Sequence, residues 1–142
     1  MPVDDNKARA SRIWDEIWNL GALDVVDEVI AENYLGYIPA MPDAIRGTEG
    51  FKQLITTYRT GYPDVHVSVE DMVGEGDRVV VRWTSRGTNT GSLMGMPATG
   101  KPVEVAGISI FRFEDGKVAE EWEGFDTLGM MQQLGLAGPP AA

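Results

Sequence analysis

Two alternating runs, Val103 to Phe113 and Lys117 to Phe125, meet at Asp115-Gly116, and this junction does most to narrow what the chain can fold into. Asp and Gly both tolerate the positive φ that a two-residue turn demands, so the spacing predicts an antiparallel hairpin. Facing residues in such a hairpin sum to a constant. Phe113 then faces Val118, Phe111 faces Glu120, Ser109 faces Trp122 and Val105 faces Asp126. One face carries Phe111, Phe113, Val118, Trp122 and Asp126, and the other carries Ile108, Ile110, Arg112, Ala119, Glu121 and Phe125. Upstream, Val65, Val67 and Val69 alternate with polar residues. The turn Gly74-Glu-Gly-Asp77 and the run 78–89 follow, which predicts a second pair of strands.

Before Pro63 the apolar period is 3.6 rather than 2. Ile13, Ile17 and Leu20, with Trp14 and Trp18 alongside, predict an amphipathic first helix over 7–21. Leu23, Val26, Val29 and Ile30 mark a short second helix, and a brief extended piece runs from Tyr34 to Pro39. Phe51, Leu54, Ile55 and Tyr58 give the face of a third helix that starts near Thr48-Glu49 and stops at Gly61 and Pro63. The segment 91–100 is too rich in Gly and Pro to be regular and reads as a loop closing one end of the sheet. A last short helix follows Asp126. The expected architecture is a single α+β domain over 1–142, with frayed ends at 1–6 and 137–142 and with helices covering one side of a curved antiparallel sheet.

Composition removes several function classes. A formal charge of −10, from 22 acidic and 12 basic residues, opposes binding to nucleic acid or to an anionic membrane surface. With no cysteine there is no thiolate or disulfide chemistry. No apolar run has the length of a membrane span or the form of a secretory signal, so a soluble cytoplasmic protein is expected.

Six short motifs in register carry a family resemblance. They are Gly61-Tyr-Pro-Asp64, Glu70-Asp71 with Gly74-Glu-Gly-Asp77, Gly87-Thr-Asn-Thr-Gly91, Pro97-Ala-Thr-Gly100, Phe111-Arg-Phe-Glu-Asp-Gly116, and Trp122 with Asp126 and Gln133-Leu-Gly135. Together they resemble the SnoaL-like polyketide cyclases of the nuclear transport factor 2-like superfamily, from about the first helix to Gly135. The resemblance implies a cone-shaped roll whose bent sheet and helices enclose an apolar pocket. It also implies ring closure of an aromatic polyketide ester by intramolecular aldol chemistry, with Asp126 as general acid/base and no metal or cofactor. The family commonly has His where this chain has Asn89, and many members have His where it has Tyr37; the chain's one histidine is His66.

Asp126 admits two readings. Beside Trp122 on an apolar face its carboxyl would have a raised pKa and exchange protons near neutrality. Directly before Thr127 it would instead cap the last helix, with a lowered pKa. The candidate substrate-binding residues are Trp122 as a pocket wall, with Trp14, Trp18, Phe111 and Phe113, and Asn89 as donor to a substrate carbonyl. Tyr37 and Tyr58 are candidate phenols, as is Tyr34. Met94 and Met96 would form a pliant lip. Arg82, if it faces inward, would need a carboxylate such as Glu120; solvent exposure on a half-buried strand, ordinary turn chemistry for Asn89 and core packing for the tyrosines are the plain alternatives.

Related reactions fit less well. The strand reading Arg82-Trp-Thr84 lacks the Arg-x-Asp of limonene-epoxide-hydrolase-like proteins, and Ile38 stands before Pro39 where ketosteroid-isomerase-like proteins have Asp. A module that binds a small apolar or aromatic molecule without catalysis is the alternative from another class. Ile108, Ile110 and Phe125 on the outer sheet face would need cover, so a homodimer is expected.

Overall fold

The computed structural model describes residues 2–39 and 41–137; the C-terminal tail expected from 137 lies, beyond that residue, outside them. Helix α1 (Val3–Arg12) continues through a wider π-helical turn, Ile13–Trp18. Residues 3–6, expected as part of a frayed end, are instead its first turn, with Asn6 buried. A 3₁₀ turn (Leu23–Val25) leads into α2 (Val26–Val29), and β1 (Ile30–Tyr37) and β2 (Ile45–Arg46) follow. Then come α3 (Gly47–Gly61), β3 (His66–Glu75), β4 (Arg78–Thr88), β5 (Pro102–Glu114), β6 (Lys117–Phe125) and α4 (Thr127–Gln133).

The six strands form one sheet in the order β2-β1-β6-β5-β4-β3. All neighbours are antiparallel except β1 and β6, which the sequence did not pair. Here β1 starts four residues earlier than the extended piece expected from Tyr34. The predicted hairpin is present: Asp115 and Gly116 both have positive φ (52° and 78°), the geometry of a two-residue primed turn.

The hairpin's register departs from a simple sum after its first two pairs. Phe113 faces Val118 as expected, but Arg112 faces Glu120, Phe111 faces Glu121, Ile110 faces Trp122 and Ser109 faces Glu123. Ala119 is an extra residue on β6, a β-bulge that makes Val118 and Ala119 together oppose one position of β5. Because side chains alternate with period 2, a one-residue slip exchanges every later side chain between faces. Trp122 therefore moves to the outer face, while Glu121, Glu123 and Phe125 move to the inner face.

The core lies between the inner face and the helices. Trp14 packs against Trp83 and Phe111, with ring centroids 5.8 and 6.0 Å away. Tyr34 meets Phe51 edge to face at 5.3 Å. Glycine makes room at two close approaches. A Cβ at Gly107 would collide with the Trp83 indole, and one at Gly36 with the Tyr34 hydroxyl. Asn19 fastens the end of the first helix to the free edge of β3, donating to the Val67 carbonyl at 3.0 Å and accepting from the Val67 N–H at 2.7 Å.

Asn89 organises the long β4–β5 loop. Its amide donates to the carbonyls of Gly61 (3.1 Å) and Gly91 (2.9 Å), and its oxygen accepts from the N–H and hydroxyl of Thr99 (2.9 and 3.0 Å). Every hydrogen-bonding site of this buried amide is used inside the protein, tying the loop to the end of α3. Removing it strands several buried groups. Asn89→Ala is expected to lose about 2–3 kcal/mol of stability, read by urea unfolding; a loss under about 0.5 kcal/mol contradicts this role.

Candidate active site

The inner sheet face, the first helix and α3 enclose a cavity with about 660 Å³ of empty space, part of it open to solvent. Its walls are largely aromatic: Trp14 and Trp18 from the π-helical turn, Tyr58 and Tyr62 from the end of α3, Trp83 from β4 and Phe125 from β6. Trp14 stacks on Trp18 at 6.4 Å, Trp18 meets Tyr58 at 6.1 Å, and Trp83 meets Phe125 at 6.3 Å. Met130, on α4, completes the lining at the mouth end of β6.

One acid lines this cavity, Glu123. Its immediate neighbour is Glu121, which is fully buried, and the two carboxyls are in hydrogen-bonding contact. Tyr34 donates its hydroxyl to Glu121 Oε1 at 2.7 Å. The Trp83 indole N–H donates to Ser109 Oγ at 3.0 Å, and Ser109 in turn reaches Glu123 Oε1 at 3.4 Å. Among the described residues neither carboxyl forms an ion pair with Lys or Arg.

Burial without a counter-charge disfavours ionisation, and two adjacent carboxyls disfavour ionising together. Burial pushes Glu121 up to about 7, opposed by hydrogen bonds from Tyr34, Glu123 and Ser109. Burial and the charge of Glu121 push Glu123 well above the usual carboxylate range. The two titrate as a unit, both shifted towards the protonated form. The same burial keeps the tyrosines protonated: Tyr58 is raised to about 12 by burial and by the nearby Glu123, and Tyr34 is raised well above the usual phenol range by burial and Glu121.

The structure sorts the sequence candidates. Trp14, Trp18 and Tyr58 line the cavity as expected. Phe111 and Phe113 are buried in the core on the inner face, outside that lining. The expected placement of Asp126 in the pocket is corrected: it is exposed at the N-terminus of α4, where its carboxylate accepts from the Gly129 N–H at 2.8 Å. The bulge at Ala119 and the end of β6 carry it out of the cavity.

Trp122 is likewise corrected to the outer face, stacked on Tyr37 at 6.1 Å with the Arg78 guanidinium 5.4 Å from its ring. Tyr37 therefore belongs to that outer stack, and 43% of it is exposed. Arg82 faces solvent, and its expected partner Glu120 pairs with Arg112 at 2.7 Å. Met94 and Met96 do not line the cavity; Met94 is exposed on a turn with φ 47°, and it is Leu93 that packs inward. Asn89 has no free group for a substrate. Glu121 and Glu123 were missed because the simple hairpin register, without the bulge at Ala119, turns Trp122 inward and both acids outward.

A cone of helices and bent sheet around an aromatic cavity is the nuclear transport factor 2-like fold. The SnoaL-like polyketide cyclase family model matches residues 8–134, and the chain belongs to that family. The chain is 32% identical over 127 residues to the aklanonic acid methyl ester cyclase of Streptomyces peucetius, covering 87% of each. It is 29% identical over 123 residues to the nogalonic acid methyl ester cyclase of Streptomyces nogalater, covering 86% of this chain and 92% of that one. Among solved structures, a SnoaL-like protein from Jannaschia sp. CCS1 superposes with a TM-score of 0.87 at 29% identity, over 96% of this chain and 95% of that one. Among the described residues no helix is long and apolar enough to cross a membrane.

The cap assignment makes a simple expectation. Asparagine caps as well as aspartate, so Asp126→Asn should keep both the fold and the rate of any reaction in the cavity, whereas Asp126→Ala should lose about 1 kcal/mol of stability. A rate loss of a hundredfold in a folded Asp126→Asn protein would return the catalytic role to that residue.

Proposed function

We propose that this protein closes a ring on an aromatic polyketide ester by intramolecular aldol addition, with Glu123 as the acid/base. The observation that carries this reading is the placement of the Glu121–Glu123 pair, partly neutral near pH 7, against a cavity walled by aromatic rings. The names of its relatives support the substrate class.

In the ionised pair, Glu123 removes a proton from a carbon flanked by carbonyls. The C–H electron pair becomes a C=C bond, and the carbonyl π pair moves to oxygen as an enolate. The enolate carbon attacks an internal carbonyl, forming the new C–C bond and leaving an alkoxide. The alkoxide takes the proton back from Glu123, so the reaction is an isomerisation with no net proton change. A C–H between two carbonyls is already acidic, and holding both reacting carbons together supplies much of the remaining acceleration. Glu121, behind Glu123, shares the proton and limits the charge the cavity must hold.

The pH dependence follows from the raised pKa values. The base must be ionised, so kcat/KM should rise with pH to a plateau, with an apparent pKa near 7 that belongs to the pair. Stability runs the opposite way. Both folded values exceed the ordinary 4.5, so stability held by the protonated pair is complete below that pH and is lost as pH rises through about 7. Glu123→Gln should fold, lose activity by roughly 10²–10⁴-fold and flatten the fall in Tm between pH 5 and 8. Ring closure of an anthraquinone-type methyl ester, followed by absorbance from pH 5 to 9, tests this reading. Full activity in Glu123→Gln or a pH-independent rate defeats the assignment. Binding of the ester without turnover would favour a ligand-binding module instead.

The proposal extends to a homodimer and a cytoplasmic location. The outer sheet face offers Val73, 57% exposed, and Ile108, 48% exposed, beside Val80 and Ile110. Phe125, expected there, is on the inner face and takes no part. An apolar stretch of this kind favours a partner sheet. Ile108→Arg should convert the dimer to monomer in light scattering at micromolar concentration; a wild-type monomer under the same conditions rejects the dimer.

A further inference from the structure

Three buried polar atoms on residues that line the cavity have no hydrogen-bond partner among the described residues: the Trp14 indole Nε1 and the hydroxyls of Tyr58 and Tyr62. Each belongs to a residue lining the cavity that holds Glu123. An unpaired buried polar group costs about 1–3 kcal/mol, and three around one small cavity is a costly arrangement unless something else pairs them. The other buried polar side chains near the acid pair are satisfied: Tyr34 by Glu121, Trp83 by Ser109. Apolar residues would fill the same wall without penalty.

We infer that Tyr58, Tyr62 and Trp14 form a donor recess that binds the ring oxygens of a polycyclic aromatic ligand, with Tyr58 bonding the oxygen that becomes the enolate. This rests on the cyclase reading and names how that site recognises its substrate. Trp14 fixes the polarity of the recess, because an indole N–H only donates and so requires an acceptor. The tyrosines follow suit: burial holds both phenols protonated at neutral pH, so each has a proton to donate. Tyr58 and Tyr62 are one helical turn apart at the end of α3, which suits two oxygens on one edge of a ring system. The stacked Trp14 and Trp18 rings supply a flat apolar wall for one of its faces. Tyr58 and Glu123 line the same cavity, so one ligand can meet both. A donor that meets a neutral carbonyl before the reaction and an enolate oxygen during it binds the second more strongly, which lowers the barrier.

The experiment compares Tyr58→Phe and Tyr62→Phe with wild type in the full chain. Two non-reacting probes, 1,8-dihydroxyanthraquinone and anthracene, are titrated against tryptophan fluorescence. Tm is measured, and ring closure of the anthraquinone-type ester gives kcat and KM. Wild type should bind the oxygenated probe at least tenfold more tightly than anthracene. Each variant should keep or raise its Tm, lose about 5–20-fold in affinity for dihydroxyanthraquinone and bind anthracene as wild type does. Tyr58→Phe should also lower kcat at least tenfold with a smaller change in KM.

The inference is overturned if wild type does not prefer the oxygenated probe. It is equally overturned if the variants bind both probes as wild type does, or if they lose Tm without losing that preference. Wild type that binds with the expected preference but closes no ring defeats the cyclase reading and leaves the donor recess standing.

Discussion

One inserted residue governs the site. Without the bulge at Ala119, β6 would continue its alternation from Val118 and turn Trp122 into the cavity, leaving Glu121 and Glu123 in water. With it, the strand keeps Val118 in the core and changes phase immediately afterwards. Four features depend on that shift: the buried acid pair, the stack of Trp122 on Tyr37 outside, Phe125 as a cavity wall and the exit of Asp126 towards α4. Bulges bend and twist a strand as well as shifting it, which suits a sheet that must curl around helices.

The acid pair opposes the stability of the fold and is retained against that cost. Two carboxyls away from any cation are unfavourable when charged, and the structure answers with neutrality and hydrogen bonds rather than with an ion pair. Tyr34 reaches Glu121 only because residue 36 is glycine, and Trp83 reaches Ser109 only because residue 107 is glycine. The glycine absent from each side-chain layer and the aromatic occupying its space are thus one device. Tyr34 and Gly36 lie on β1, and Gly107 and Ser109 on β5, the two strands flanking β6, so the acids are held from opposite sides.

Much of the architecture was legible from local pattern. The Asp115-Gly116 turn, the long strands and the face of α3 follow from chemistry that neighbours in sequence settle among themselves. The parallel pairing of β1 with β6 was not legible, because residues some ninety positions apart set it by tertiary packing; β2, of two residues, carries too little pattern to see. In the cavity, Trp14, Trp18 and Tyr58 were legible because helical spacing aligns them with the core. The acids were not, because the simple hairpin register, without the bulge, places Trp122 inward and both acids outward. The neighbouring apolar pair Val118-Ala119 was the only trace of the bulge, and it is too common a pair to signal one. For Asp126 the helix-cap chemistry was legible beside the catalytic reading, and the Gly129 N–H fixes which of the two the backbone uses.

A proton-sharing pair suits a reaction that ends where it began in charge. Ring closure takes a proton from carbon and returns one to oxygen, so a carboxylate of ordinary acidity would be too weak a base for the first step, and a strongly basic group would not release its proton in the second. Two carboxyls that divide one proton avoid both extremes, because the partner's hydrogen bond strengthens whichever group is charged at the moment. The arrangement needs a dry cavity to keep the proton between them, and the rings of Trp14, Trp83 and Phe125 provide that surrounding. It also explains why no histidine is required beside Glu123: the second carboxyl supplies the paired proton site that a histidine would offer. The same bulge that hides the acids from a reading of the sequence brings Glu121 and Glu123 together on one face.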